Sequence, residues 1–176
     1  AFPVERLAAA TLDLQQLLKQ HGYREAIIFG HALEGNLHFV FTQDFGSAAE
    51  VERYRRFMDA MCAMVVTKYD GSLKAEHGTG RNMAPFVELE WGAQAVATMH
   101  RIKALFDADG LLNPGVIVAP ARLDADLALH TPEVLSVDTL FTFPHDADGF
   151  AGAVRRCVGV GRCRSDAGGV MCPSYR

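Results

Sequence analysis

The sequence predicts an α+β fold in which helices cover an antiparallel sheet and an irregular C-terminal extension follows. Three observations carry that expectation. Residues 36–42 (NLHFVFT) alternate with a strand's period of two, and the short apolar run EAIIF at 25–29 precedes them across a glycine-bearing connection. Two longer stretches, 47–69 and 84–106, have helical character. Beyond Pro120 no clean period remains.

Taken in order, Pro3 opens a helix whose apolar positions Val4, Leu7, Ala8, Leu12, Leu14, Leu17 and Leu18 run to about Gln20, where His21-Gly22 closes it. The segments 25–29 and 36–42 are the two strands of a hairpin. Residues 47–69 form a capped helix rich in Glu and Arg, in which Arg53, Arg55 and Arg56 interleave with Glu50 and Glu52 as a solvated face does. Residues 70–81 are a glycine-rich loop, and the helical stretch 84–106 is expected to break near Trp91-Gly92. DADGLLNPG then turns the chain into a short apolar tail at 116–118. Trp91, Phe39, Phe41 and Phe45 read as core and sheet packing rather than as a platform for nucleic-acid bases.

Composition narrows the function class. With 176 residues, 49% of them apolar, the chain can build one ordinary domain with a sizeable core. Its net charge of −4, without a Lys/Arg block, argues against nucleic acid as a partner. No apolar run approaches the roughly 18–20 residues that span a bilayer, and no signal peptide is recognisable, so a cytoplasmic protein is expected. The opening Ala1-Phe2-Pro3, without Met, reads as a piece of a longer protein.

Two constellations carry chemistry. In Gly30-His31-Ala32-Leu33-Glu34-Gly35-Asn36-Leu37-His38, a two-residue turn at Glu34-Gly35 would set His31 directly opposite His38, with Cβ atoms roughly 4.5–5.5 Å apart. Two imidazoles so placed can share a metal ion; a shifted turn would leave two unrelated histidines in the hairpin. In Lys74-Ala75-Glu76-His77-Gly78-Thr79-Gly80-Arg81, Gly78 and Gly80 let backbone approach a ligand, and Glu76 offers a carboxylate to complete a two-His, one-carboxylate set. His77 is a candidate proton acceptor and Arg81 a candidate partner for a substrate carboxylate. The same residues could equally form a surface loop before a helix.

The cysteines are uneven: Cys62 stands alone, whereas Cys157, Cys163 and Cys172 crowd the C-terminus. A secreted disulfide framework would spread them through the fold, so the cluster reads as metal chemistry. Cys172-Pro173 with glycine-rich spacing upstream points to iron–sulfur ligation, with a structural zinc site as the rival. Cys62, on a Met-rich stripe, reads as buried packing.

GHxxxGNLH, followed about forty residues later by EHGxG and then by LFDxxGLLNPG, resembles the C-terminal domain of FAD-linked oxidases of the vanillyl-alcohol oxidase type. The nearest branch is the D-2-hydroxy-acid dehydrogenases acting on D-lactate, glycolate or D-2-hydroxyglutarate. The resemblance implies a ferredoxin-like α+β cap over a flavin held by a separate domain, with His31, His38 and Glu76 as ligands of a divalent metal, Zn or Mn. It implies His77 as the catalytic base and Asn113 near the flavin; the loop's own residues add Arg81 to the catalytic set and Gly78 and Gly80 to the cofactor-binding one. The chain departs from the usual pattern at Leu33, Glu34 and Met83. The cysteine segment resembles the opening of the iron–sulfur region fused behind the flavin domain in a bacterial subgroup, so a [4Fe–4S] cluster is implied in the full-length protein.

The implied organisation is a cap domain at 1–118, a linker at 119–149 and a truncated iron–sulfur module at 150–176. The implied partners are a small 2-hydroxy acid, the absent FAD-binding domain and an unidentified electron acceptor. The implied location is the cytoplasm or the periphery of the inner membrane. A metal-dependent hydrolase and a non-catalytic electron-transfer module are the rival classes.

Overall fold

The computed structural model describes residues 1–125, 127, 139–146, 149–157 and 161, and the chain divides into two compact units, Ala1–Leu129 and His130–Arg176. The first unit is α+β. A 3-10 turn at Val4–Arg6 leads into α1 (Leu7–Gln20), followed by strands β1 (Ile27–His31) and β2 (Asn36–Val40). Then come α2 (Ala48–Ala63), the short α3 (Gly80–Met83) and α4 (Val87–Phe106). The second unit contains α5 (Phe150–Arg155) among its described residues.

Local chemistry explains the helix limits. His21 caps α1, and Gly22 turns the chain away at φ 84°. Ser47 caps α2, its Oγ accepting from Glu50 N at 3.3 Å. The far end of α2 widens into a π-turn at Met64–Lys68. Helix α4 breaks at Gly92 (φ 79°, ψ 161°), as the sequence predicts. Along α2 the interleaved charges pair within the helix, Arg53 with Glu50 and Arg55 with both Glu52 and Asp59.

The core lies between α1, α2 and the inner face of the hairpin. Ala10, Leu14 and Leu18 of α1 meet Tyr54, Phe57, Met58, Met61 and Cys62 of α2. Phe57 is fully buried, with the rings of Tyr23, Phe41, His21 and Phe39 centred 5.0, 5.3, 5.7 and 6.0 Å from its own. Ile28, Leu37 and Phe39 supply the sheet's contribution, and Phe41 and Phe45 pack beside them. Cys62 is fully buried, and desolvation pushes its thiol up to about 12. Trp91 departs from the expectation of core packing: it is half exposed, and Lys74 Nζ lies 3.9 Å from its ring centroid.

The hairpin register also differs. Ile27 pairs with Val40, Phe29 with His38, and His31 with Asn36, so His31 is not directly opposite His38. The connection is a 3-10 turn, Ala32–Glu34, closed by Gly35 in the left-handed region at φ 63°, rather than a two-residue turn. Two close approaches fix it. A Cβ on Gly30 would lie 2.1 Å from the Asn36 carbonyl oxygen, and one on Gly35 would lie 2.0 Å from that of Phe2. Phe2 N in turn donates to the Gly35 carbonyl at 2.8 Å, docking the N-terminal segment on the turn. The partner of His31 moves by two positions, from His38 to Asn36. Because strand side chains alternate with period two, both histidines stay on one face.

Truncating Phe57 to Ala should cost about 3–5 kcal/mol, measured by denaturant unfolding. A variant retaining Cys62 as its sole cysteine should resist an aromatic disulfide reagent at pH 8 until unfolded; rapid labelling of the folded protein would contradict the burial of that thiol.

Candidate functional site

The outer face of the hairpin carries, from the turn outward, the pairs His31 and Asn36, Phe29 and His38, and Ile27 and Val40. The loop after α2 brings Glu76 and His77 to the turn end of this face. Glu76 Oε1 lies 3.4 Å from His31 Nε2, 3.4 Å from His38 Nε2 and 3.6 Å from His77 Nε2. One ligand atom from each of His31, His38 and Glu76 falls within 4.8 Å of the others. Two imidazole nitrogens and a carboxylate oxygen at that separation fit a single divalent ion. Half of the Glu76 side chain and 58% of that of His31 face solvent, so the cluster opens to one side.

His38 and Glu76 are braced. The Phe29 ring stacks on His38 at 5.5 Å and 20°, which limits the rotation of that imidazole. The His31 and His38 rings meet edge to face at 5.5 Å, and His77 stands 4.9 Å from His38. Glu76 Oε2 accepts from Asn36 Nδ2 at 2.5 Å, leaving Oε1 to the histidines. Asn36 is 4% exposed, and its Oδ1 has no hydrogen-bond partner among the described residues. An orphaned amide oxygen costs about 1–3 kcal/mol, the sort of expense tolerated where the other end of a side chain is needed. Sequence reasoning passed over Asn36. Its signal was the register: a four-residue connection puts Asn36 opposite His31.

The other expected residues fall elsewhere or stand apart. Gly78 and Gly80 adopt φ 73° and 56°, and a Cβ on either would meet nothing within 4 Å. The loop backbone beside His77 is therefore open. Arg81 donates from Nη2 to the Ala125 carbonyl at 3.0 Å, tying α3 to the segment after Pro120. Asn113 sits at the end of the turn beyond α4, at φ 46°. It lines a cavity of about 490 Å³ together with His100, Lys103, Asp107 and Pro114.

That turn is tightly built. Asp107 accepts from Leu111 N at 2.8 Å and Leu112 N at 2.9 Å, while Lys103 donates to Asp107 and to the Leu112 carbonyl. The Lys103 ammonium, with those backbone donors, holds the Asp107 carboxyl below the usual carboxylate range. Of the cysteines expected to hold a cluster, Cys157 is exposed just after α5, whereas Cys163 and Cys172 lie outside the described residues.

Residues 1–117 match the family described as "FAD linked oxidases, C-terminal domain". The chain is 31% identical over 182 residues to a D-2-hydroxyglutarate dehydrogenase of Escherichia coli (strain K12), covering 99% of this chain and 17% of that protein. It is 32% identical over 114 residues to a glycolate oxidase subunit GlcD of the same strain (65% of this chain, 22% of that protein). To the Bacillus subtilis (strain 168) GlcD it is 34% identical over 91 residues (52% and 19%). The chain thus spans about a fifth of the length of these curated relatives.

If the cluster holds a divalent ion, mass spectrometry of zinc-loaded protein should find about one zinc per chain. His31→Ala and Glu76→Ala should each abolish that occupancy. Asn36→Ala should weaken it about ten- to hundredfold through loss of the Glu76 brace. Equal zinc in all four proteins would rule the cluster out.

Proposed function

The chain belongs to the family of FAD-linked oxidase C-terminal domains, and on that premise we propose that it is the substrate- and metal-binding part of a flavin-dependent dehydrogenase. The enzyme oxidises a D-2-hydroxy acid to the 2-oxo acid. What carries the proposal is the convergence of His31, His38 and Glu76 within 4.8 Å, with His77 on the same carboxylate oxygen.

His31, His38 and Glu76 would hold the divalent ion, Zn or Mn, which would supply Lewis acidity toward a 2-hydroxy acid, while the flavin would supply the hydride acceptor. Everything else is the work of this chain's own side chains. Asn36 fixes one Glu76 oxygen so that the other faces the two histidines. Phe29 restrains the His38 ring. His77, two-thirds exposed and beside the cluster, takes the hydroxyl proton as C2 is oxidised. Gly78 and Gly80 leave the adjoining backbone clear for substrate and for the flavin edge.

Three stretches of the chain divide the labour in this proposal. Residues 1–118 form the cap, with Asn113 facing the flavin and Arg81 at the edge of the substrate site. Residues 119–149 link it to an iron–sulfur module opening at 150. There Cys157, Cys163 and Cys172 would give thiolates to a [4Fe–4S] cluster of the full-length protein, which would supply electron transfer toward an acceptor. The flavin is held mostly by a domain outside this chain, whose sequence contains no glycine-rich dinucleotide fingerprint. No described helix is long and apolar enough to cross a membrane.

The test is His77→Ala in the flavin-loaded full-length protein, assayed with glycolate, D-lactate and D-2-hydroxyglutarate. Turnover of the preferred substrate should fall about 10²–10⁴-fold while bound metal stays unchanged. Survival of turnover would remove His77 as the base.

A further inference from the structure

The loop that delivers Glu76 contains no regular strand or helix between Asp70 and Thr79, yet it must hold a carboxylate against two histidines. It also contains Ala75 at φ 45°, a left-handed conformation that residues with a Cβ adopt reluctantly. Such a residue persists only where its neighbours are fixed from outside. On the far side of Ala75, Asn36 grips Glu76. On the near side, three consecutive residues converge on one acid from α4.

That acid is Glu90, whose side chain is 9% exposed. Its Oε1 accepts from Ser72 Oγ at 2.8 Å, and its Oε2 accepts from Leu73 N at 3.2 Å. Lys74 Nζ stands 3.8 Å from Oε1 and at the same time covers the Trp91 ring. Glu90 occupies the turn of α4 just before the break at Gly92. A carboxylate so buried is stable only when its lone pairs are satisfied, and here the loop satisfies them. Hydroxyl, backbone amide and ammonium are thereby fixed relative to a helix, two to four residues before Glu76.

We propose that Glu90 is a positioning residue for the metal site: through Ser72, Leu73 and Lys74 it holds the loop conformation that presents Glu76 to His31 and His38. The inference rests on the metal-site reading above and deepens it. Glu90 touches neither substrate nor metal. It acts as the outer support of a ligand whose own geometry a flexible loop would leave undefined. Lys74 neutralises the buried carboxylate, and Trp91 restrains Lys74, so the brace is anchored to α4 by two adjacent side chains.

The experiment is a zinc-affinity titration of the flavin-loaded full-length protein against a chelating dye. Glu90→Ala should weaken zinc binding about ten- to hundredfold, the range typical of lost outer-sphere support. Glu90→Gln, which keeps an acceptor for Leu73 N, should restore most of the affinity, whereas Glu90→Leu, of similar bulk without an acceptor, should not, a difference that a general packing role would not produce. If Glu90→Ala does not fold, the double variant Ser72→Ala/Lys74→Met removes two contacts and keeps the amide bond; it should weaken zinc binding several-fold. Wild-type affinity in a folded Glu90→Ala, or in that double variant, would overturn the proposal. Zinc binding unaltered by Glu76→Ala would instead overturn the metal-site reading, and the role of Glu90 with it.

Discussion

The packing of the hairpin's inner face on Phe57 decides where the chemistry sits. A two-stranded sheet has little stability alone and needs an apolar face covered. Here α2 covers it, with Phe57 enclosed by Tyr23, Phe39 and Phe41. Once Ile28, Leu37 and Phe39 point inward, period-two alternation obliges His31 and His38 to point outward. Gly30 permits the close crossing of the strands, and Gly35 accepts the N-terminal segment against the turn. The two imidazoles thus lie on the most firmly backed surface of the unit, and neither can rotate to the other face without dismantling the core.

The carboxylate is secured differently. It comes from a loop, so its position depends on discrete polar contacts rather than on apolar burial. Asn36 fixes one oxygen from the sheet side, and the Oδ1 of that amide, without a partner among the described residues, is the cost. On the preceding side the loop is tied down from α4, with the left-handed Ala75 between the two anchorages. The site therefore joins a rigid half, set by packing, to an adjustable half, set by hydrogen bonds. Hydrogen bonds net only about 0.5–1.5 kcal/mol each, so several must act together to hold the adjustable half.

Much of this was legible in the sequence, and the exceptions share a cause. Helix limits at Gln20 and Ser47 and the break at Gly92 follow from capping and glycine chemistry, which act over a few residues. The pairing of histidines on one face was legible because face depends only on parity. Register was not, because Gly35 alone fits both a two-residue turn and the end of a 3-10 turn; contact with Phe2, distant in sequence, favours the latter. Asn36 and Glu90 escaped notice for the same reason: each works through partners 16 to 40 residues away, and spacing alone cannot reveal that. Trp91 looked like core because apolar area usually is, but its covering is the ammonium of Lys74.

The outward face also carries an unbalanced feature. Beyond the histidines lie Ile27, Phe29 and Val40, each more than half exposed. Of these, Phe29 stacks on His38, and the rest of the row stays open to solvent. Proton and hydride transfer proceed best where water is excluded, because charges interact more strongly there and competing proton transfers are suppressed. A polar cluster bordered by an apolar row sets ionisable groups beside a surface from which water is readily displaced. The same alternation that turns His38 outward turns Phe29 and Val40 outward beside it, so the apolar row and the polar cluster are set by one register.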